Sequence, residues 1–142
     1  MRRAILATFL VLAACGQSEA PKVEAHDAWA RAVAAPGGMA AAYLRISNKG
    51  GEDRLLSVHS ERGSGASIHM TRMSGGVMKM RAMPEGLPVP AHGEVTLVPG
   101  GTHVMLEGAG PLLAGDRFDL VLRFEKSGEM TVPVSVVAPG AR

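Results

Sequence analysis

Cysteine is nearly absent from this 142-residue chain, whose one cysteine is Cys15. A single cysteine excludes an internal disulfide, a zinc site built from thiolates and a CxxC redox pair. Aromatic residues make up 4% of the chain, with one Trp and one Tyr, too few to form a platform on which nucleic-acid bases stack. The chain also lacks Ser/His/Asp, Cys/His, paired-carboxylate and phosphate-loop motifs, so we expect that it is not an enzyme.

The N-terminus has the pattern of an export signal. Arg2 and Arg3 precede the apolar run Ala4–Ala14, which is shorter than the ~20 residues of a membrane span but typical of a signal peptide. The run ends in Leu-Ala-Ala-Cys-Gly, which resembles the lipobox of bacterial lipoproteins and implies acylation of Cys15. We therefore predict a lipoprotein signal peptide over 1–14, a lipidated cysteine and tether over 15–22, and one domain over 23–142. Ordinary secretory cleavage with an incidental Cys15 is the alternative.

The excess of positive charge belongs to that leader. The whole chain has 15 basic and 13 acidic residues, a formal net charge of +2. Removal of Arg2 and Arg3 leaves 13 residues of each sign, and no cluster of Lys or Arg remains. We therefore expect no nucleic-acid partner, and a membrane contact through the lipid anchor alone.

The remaining sequence is patterned as short strands separated by Gly- and Pro-rich turns. The clearest alternation joins Phe118, Leu120, Leu122 and Phe124. A second follows Met130–Val136, where Pro133 indicates a sheet edge or a bulge. Further strands are predicted over Met39–Ser47, Arg54–Ser60, Ala66–Met70, Val77–Met83, Glu94–Val98 and Thr102–Glu107, and one helical turn near Leu112–Ala114. Many short strands of this kind favour an all-β, antiparallel sandwich.

Methionine and histidine are concentrated in the middle of the chain. Five of the nine methionines fall between residues 70 and 83, and two histidines lie beside methionines, in His69-Met70 and His103-Val104-Met105. Residues i and i+2 of a strand share a face, so His103 and Met105 can converge on one ion. A site that joined them with His69 and Met80 would offer two imidazoles and two thioethers. The alternative is that these methionines only fill gaps in the core.

The donor types select the metal. Thioether is a soft, neutral ligand, and together with imidazole it favours Cu(I) over zinc, calcium or magnesium. A blue-copper electron-transfer site also requires a cysteine thiolate, and Cys15 is assigned to the anchor. The pattern therefore predicts a site that binds and releases Cu(I) without redox catalysis.

Residues 29–137 resemble the periplasmic copper chaperones of the PCu(A)C type. The matching segments include Ala28–Arg31, Ala41–Leu44, Val77–Arg81, Leu97–Leu106 and Pro111–Asp116. The family pattern is a His, a Met eleven positions later and a distal His-x-Met, which here correspond to His69, Met80, His103 and Met105. The resemblance implies a cupredoxin-like, antiparallel Greek-key β-sandwich with these four residues as Cu(I) ligands.

The resemblance also implies a function in the periplasm. It predicts a membrane-anchored lipoprotein that delivers Cu(I) to the CuA centre of cytochrome c oxidase. Its partners would be oxidase subunit II and a thioredoxin-like copper assembly protein. Copper sequestration for tolerance and a metal-free structural lipoprotein are the alternatives. Met73, Met78 and Met83 match no ligand position, and we expect them to pack in the core or at the rim, with a role in copper hand-over as the alternative. Met70, which follows His69, is either a competing ligand or a rim residue. His26, His59 and His92 are expected at solvated or turn positions.

Overall fold

Ten β-strands form the protein in a computed structural model, which describes residues 18–142. The predicted signal peptide and Cys15 lie outside the described residues. The part of the chain that the structure describes contains no helix long and apolar enough to cross a membrane. The strands, in chain order, are β1 (Val23–Arg31), β2 (Ala40–Asn48), β3 (Asp53–His59), β4 (Gly65–Ser74), β5 (Val77–Ala82), β6 (Leu87–Val89), β7 (Gly93–Thr96), β8 (Thr102–Glu107), β9 (Arg117–Phe124) and β10 (Gly128–Val137).

The strands form one mixed sheet that closes over a single core. Its order is β5-β4-β8-β2-β1-β10-β9-β3-β6, and β7 pairs with β2 beside that path. All pairs are antiparallel except β1 with β10, which is parallel. Strands β3 and β4 stand near opposite ends of this order and yet lie against each other, so the sheet is folded into two layers. The all-β sandwich predicted from the sequence is confirmed, with one parallel pair in it.

Alternation of side chains decides which face of each strand is buried. In β9, Phe118, Leu120, Leu122 and Phe124 point into the core, while Arg117, Asp119 and Arg123 are exposed. The opposite layer contributes Ala30, Ala42, Ile68 and Val104 to the same core. Period-two patterning of this kind fixes the register, because a slip by one residue would turn the apolar side chains outward.

Three local features differ from the sequence prediction or refine it. Strand β1 was not predicted, because a register shift between His26 and Trp29, with Asp27 at a φ of 54°, breaks its alternation. No helical turn forms near Leu112, which instead makes an isolated bridge with Val33. Pro133 pairs with β9 alone, because the pairing of β10 with β1 begins at Ser135, so this part of β10 is an edge as expected.

A candidate metal centre on the outer face of β4, β5 and β8

The register of three neighbouring strands brings the predicted ligands to one face of the sheet. His69 of β4 lies opposite His103 of β8, and the residues at 67 and 105 are likewise opposite each other. On the other side of β4, Thr71 lies opposite Met80 of β5. Because directly opposed residues of antiparallel strands share a face, all four candidate ligands project from the same side. Ile68 and Val104 project from the other side, into the core.

His103 is held by a backbone carbonyl next to its own strand. Its side chain is buried, with the residue 6% exposed, and Nδ1 lies 3.0 Å from the Gly101 carbonyl oxygen. A carbonyl only accepts, so Nδ1 carries the proton and Nε2 keeps its lone pair. The same carbonyl accepts a hydrogen bond from the backbone N–H of Thr71 at 3.1 Å. One carbonyl therefore orients the His103 ring and ties β4 to the turn that precedes β8.

His69 has one partnered and one unpartnered ring nitrogen. Nε2 lies 2.9 Å from the hydroxyl oxygen of Ser67, and Nδ1 is buried without a hydrogen-bond partner in the described part of the chain. A buried polar atom without a partner is costly, and such atoms are few in folded proteins. The His69 and His103 rings are 5.9 Å apart between centroids. The unpartnered nitrogen therefore fits the position of a metal-ligand atom.

The two thioethers differ in their exposure. Met105 is half-buried on β8, whereas Met80 on β5 is 51% exposed. Met80 is a diagonal neighbour of His69, because its partner Thr71 lies two residues further along β4. Diagonal neighbours stand ~7–8 Å apart at the backbone, within reach of long side chains. The face thus offers one sheltered and one solvent-accessible soft donor beside the two imidazoles.

An aromatic row continues from the histidines across the sheet. The rings of Tyr43 and His103 are 6.4 Å apart between centroids, and those of Trp29 and Tyr43 are 4.5 Å apart. Tyr43 is buried although it lies on the outer face, since its strand neighbours Ala42 and Leu44 point into the core. Tyr43 thus packs beside His103, and Trp29 packs on the Tyr43 ring.

The remaining methionines divide between the two faces of the β4–β5 hairpin. Met70 lies on the face opposite His69, where Arg72 Nε donates a 3.0 Å hydrogen bond to its sulfur. Met83 packs against the core. Met73 and Met78 are exposed on the same face as His69, so the expectation that they pack in the core or at its rim is not met.

Two of the other histidines are at the expected solvated or turn positions. His59 is exposed at the end of β3, and His92 occupies a turn with a φ of 48°, 2.8 Å from the Glu19 carboxylate. His26 differs from the expectation, because it is half-buried within β1, opposite Arg45. Within residues 18–142 no group of three or more His, Cys, Asp or Glu side chains could hold a metal ion.

Two parts of this centre were not identified from the sequence. Ser67 holds His69, and the Gly101 carbonyl holds His103. The period of two along β4 places Ser67 beside His69 on one face, which is a signal that the sequence does contain. A backbone carbonyl carries no sequence signal, and its role follows from the turn before β8.

The fold is that of the PCuAC-type copper chaperones. Known structures support this class. The structure described as "Copper-bound PCuAC domain from PmoF2" superposes with a TM-score of 0.69 at 28% identity, covering 83% of this chain and 94% of that one. The structure of CuI-DR1885 from Deinococcus radiodurans superposes with a TM-score of 0.60 at 29% identity, covering 78% and 76% of the two chains.

Sequence comparison gives the particular family. The family model described as "Putative lipoprotein LpqE-like" matches residues 23–136. The curated protein "Putative lipoprotein Lxx21020" of Leifsonia xyli subsp. xyli (strain CTCB07) is 35% identical over 120 residues, or 83% of this chain and 70% of that protein. The chain belongs to the LpqE-like family. Its match begins at the first residue of β1 and ends within β10, so it takes in the whole sandwich.

Proposed function

We propose that this protein is an exported lipoprotein that binds Cu(I) through His69, Met80, His103 and Met105 and passes it to a recipient protein. The observation that carries the proposal is the state of the two imidazoles. Each has one nitrogen in a hydrogen bond and the other free, on the same face as two thioethers. Metal-binding histidines in proteins are oriented in this way through their second nitrogen.

The arrangement also specifies which atoms would hold the ion. His103 would bind through Nε2, because Nδ1–H donates to Gly101. His69 would bind through Nδ1, with Nε2–H donating to Ser67. Imidazole and thioether are neutral ligands, so they do not compensate the charge of a bound ion. The site therefore favours Cu(I), which is soft and carries a single positive charge, over ions that require carboxylates or thiolates.

Release to another protein requires that a ligand can be replaced from outside. Met80 is the most exposed of the four candidate ligands, and the strand that carries it is exposed along its whole length. A donor of the recipient can therefore displace Met80 while the more buried His103 still holds the ion. This stepwise exchange needs no change in oxidation state.

The recipient that we propose is the CuA centre of cytochrome c oxidase, reached through subunit II with a thioredoxin-like assembly protein as a further partner. Support comes from similar solved structures, which include a copper-bound PCuAC domain and CuI-DR1885, and from a donor set suited to transient Cu(I) binding. We place the protein in the periplasm, anchored through a lipid on Cys15. The lipoprotein descriptions of its relatives support the anchor.

Anaerobic titration of residues 23–142 with Cu(I), in competition with a Cu(I) chelator, tests the binding site. We expect one tightly bound ion. The double variant His103→Ala, Met105→Ala should lose at least about 100-fold in affinity, because loss of a ligand exceeds the 10–100-fold cost of losing a group that only orients one. His59→Ala, which changes an exposed histidine on another strand, is the matched control. No binding by the wild type, or equal binding by the double variant, would refute the site.

The recipient requires a separate test in the cell. Deletion of the gene should lower cytochrome c oxidase activity at limiting copper, and added copper should restore it. Sensitivity to excess copper with normal oxidase activity would instead indicate sequestration.

A further inference from the structure

The end of the β4–β5 hairpin exposes more methionine than its packing requires. Met73 is 65% exposed and Met78 is 55% exposed, close to the value for Met80. All three project from the face that carries His69, and none belongs to the hydrophobic core. Apolar side chains in such a position add nothing to the burial that stabilises the fold.

The turn of this hairpin sets Met73 and Met78 directly across from each other. Gly75 and Gly76 form a two-residue loop, with φ values of 59° and 76°. Positive φ at both central residues defines the tight turn that closes a hairpin without splaying its strands. The pairing of Ser74 with Val77 follows, and the next pair along the hairpin is Met73 with Met78.

This spacing suits a shared soft ion. Directly opposed residues have Cβ atoms ~4.5–5.5 Å apart. Two sulfur atoms bound to one metal at ~2.3 Å each are at most ~4.6 Å apart, a separation that flexible methionine side chains can reach from opposed positions. Met80 follows Met78 by two residues on the same face, so its sulfur is available to the same group. Three neutral thioethers with no imidazole would hold Cu(I) more loosely than the inner site.

We propose that Met73, Met78 and Met80 form a second, outer Cu(I) site at the hairpin tip. The outer site captures Cu(I) from solution or from a donor protein and passes it inward. Met80 belongs to both sites: its sulfur stays bound while the sulfurs of Met73 and Met78 leave and the nitrogens of His69 and His103 take their places. The ion remains Cu(I) throughout. This inference rests on the proposed function, because the inner site is the destination of the ion.

Methyl NMR of protein labelled with ¹³C at the methionine methyl groups tests the outer site directly. Cu(I) is added anaerobically to the folded domain, to one equivalent and then to two. The first equivalent should shift the Met80 and Met105 methyls. The second should shift Met73 and Met78, which then hold the ion as a pair of thioethers because Met80 is already bound at the inner site. Met70, on the opposite face of the same hairpin, should stay unmoved. If Met73 and Met78 do not shift up to two equivalents, the outer site does not exist.

The same titration separates failure of this inference from failure of the proposed function. Shifts confined to Met80 and Met105 would refute the outer site and leave the inner one standing. Shifts of Met73, Met78 and Met80 without Met105 would support the outer site and refute the inner one. No shift at any methionine would refute both.

Kinetics test the order of events. In the double variant Met73→Leu, Met78→Leu, the exposed side chains keep their size and lose their sulfur, so the fold should be unaffected. Transfer of Cu(I) from a chelator complex to this variant should be about tenfold slower, while the affinity of the inner site stays unchanged. Met70→Leu is the matched control. An unchanged transfer rate in the double variant would refute the capture role.

Discussion

Replacement of Ser67 by Ala should weaken Cu(I) binding without removing a ligand. The change deletes the hydroxyl oxygen that lies 2.9 Å from His69 Nε2. For Nδ1 of His69 to offer a lone pair, Nε2 must carry the proton, and the Ser67 oxygen is its acceptor. Without that acceptor the ring is free to rotate and to exchange tautomers, and both changes withdraw the lone pair from the metal.

The expected loss is about tenfold in affinity, or ~1.4 kcal/mol, at the lower end of the range for groups that orient a metal ligand. The lower end applies because Ser67 is neutral and half-buried, so water can partly replace its hydroxyl. The same bond contributes only about 1 kcal/mol to folding, so the variant should remain folded at room temperature.

Competition against a Cu(I) chelator measures the affinity, and ¹⁵N NMR of the imidazole nitrogens measures which one carries the proton. Ser74→Ala is the control, because Ser74 is an exposed serine of the same strand on its other face. If Ser67→Ala binds Cu(I) with an affinity within twofold of the wild type while His69→Ala loses binding, the orienting role of Ser67 is refuted. A proton found on Nδ1 of His69 in the metal-free protein would refute it as well.

Two further predictions concern the stability of the scaffold. Asp53 is 5% exposed, and although burial favours a higher pKa, hydrogen bonds from Ser127, Lys126 and Arg54 bring its pKa below the ordinary 3.8. Asp53→Asn should therefore cost about 3 kcal/mol in urea unfolding at neutral pH. In the wild type the stabilisation by the Asp53 carboxylate is complete above the pKa that this group has in the unfolded chain, and it is lost as the pH falls through its lower pKa in the folded protein. A difference in unfolding free energy between wild type and variant that did not change with pH would contradict this prediction. Gly86→Ala should cost about 2 kcal/mol or more, since Gly86 has a φ of 81° and an added Cβ would overlap the Leu55 carbonyl oxygen. Gly140→Ala, at the same φ in open space, should cost less, and an equal loss in the two variants would show that the contact is unimportant.

Most of the sheet could be predicted from side-chain alternation alone. Thr102–Glu107 forms a strand with the predicted bounds, and the alternation around Leu120 and Leu122 gives the correct buried face. Strand β1 could not be predicted in this way, because the bulge between His26 and Trp29 interrupts its period. The parallel pairing of β1 with β10 depends on how the two layers close, which local patterns do not encode.

The site was predictable to the extent that strand period and residue type determine it. The period of two places His103 beside Met105, and resemblance to a family adds His69 and Met80. The register that sets His69 opposite His103 depends on the tertiary structure, because β4 and β8 are separated by three other strands in the chain. Local sequence patterns therefore could not predict it. The assignment of these four residues as copper ligands stays a prediction until the metal is titrated.

The position of β5 at one end of the sheet order has a consequence for how tightly a metal can be retained. All six of its residues are exposed, and β4 is its one partner strand, so this strand adds little to the global free energy of folding. Segments of this kind open locally at a small fraction of the cost of complete unfolding. With Met80 as a ligand, each such opening removes one donor while β8 remains paired on both sides. The dissociation rate of the ion is then governed by fraying of an edge strand, and amide hydrogen exchange in β5 should slow when the metal is bound.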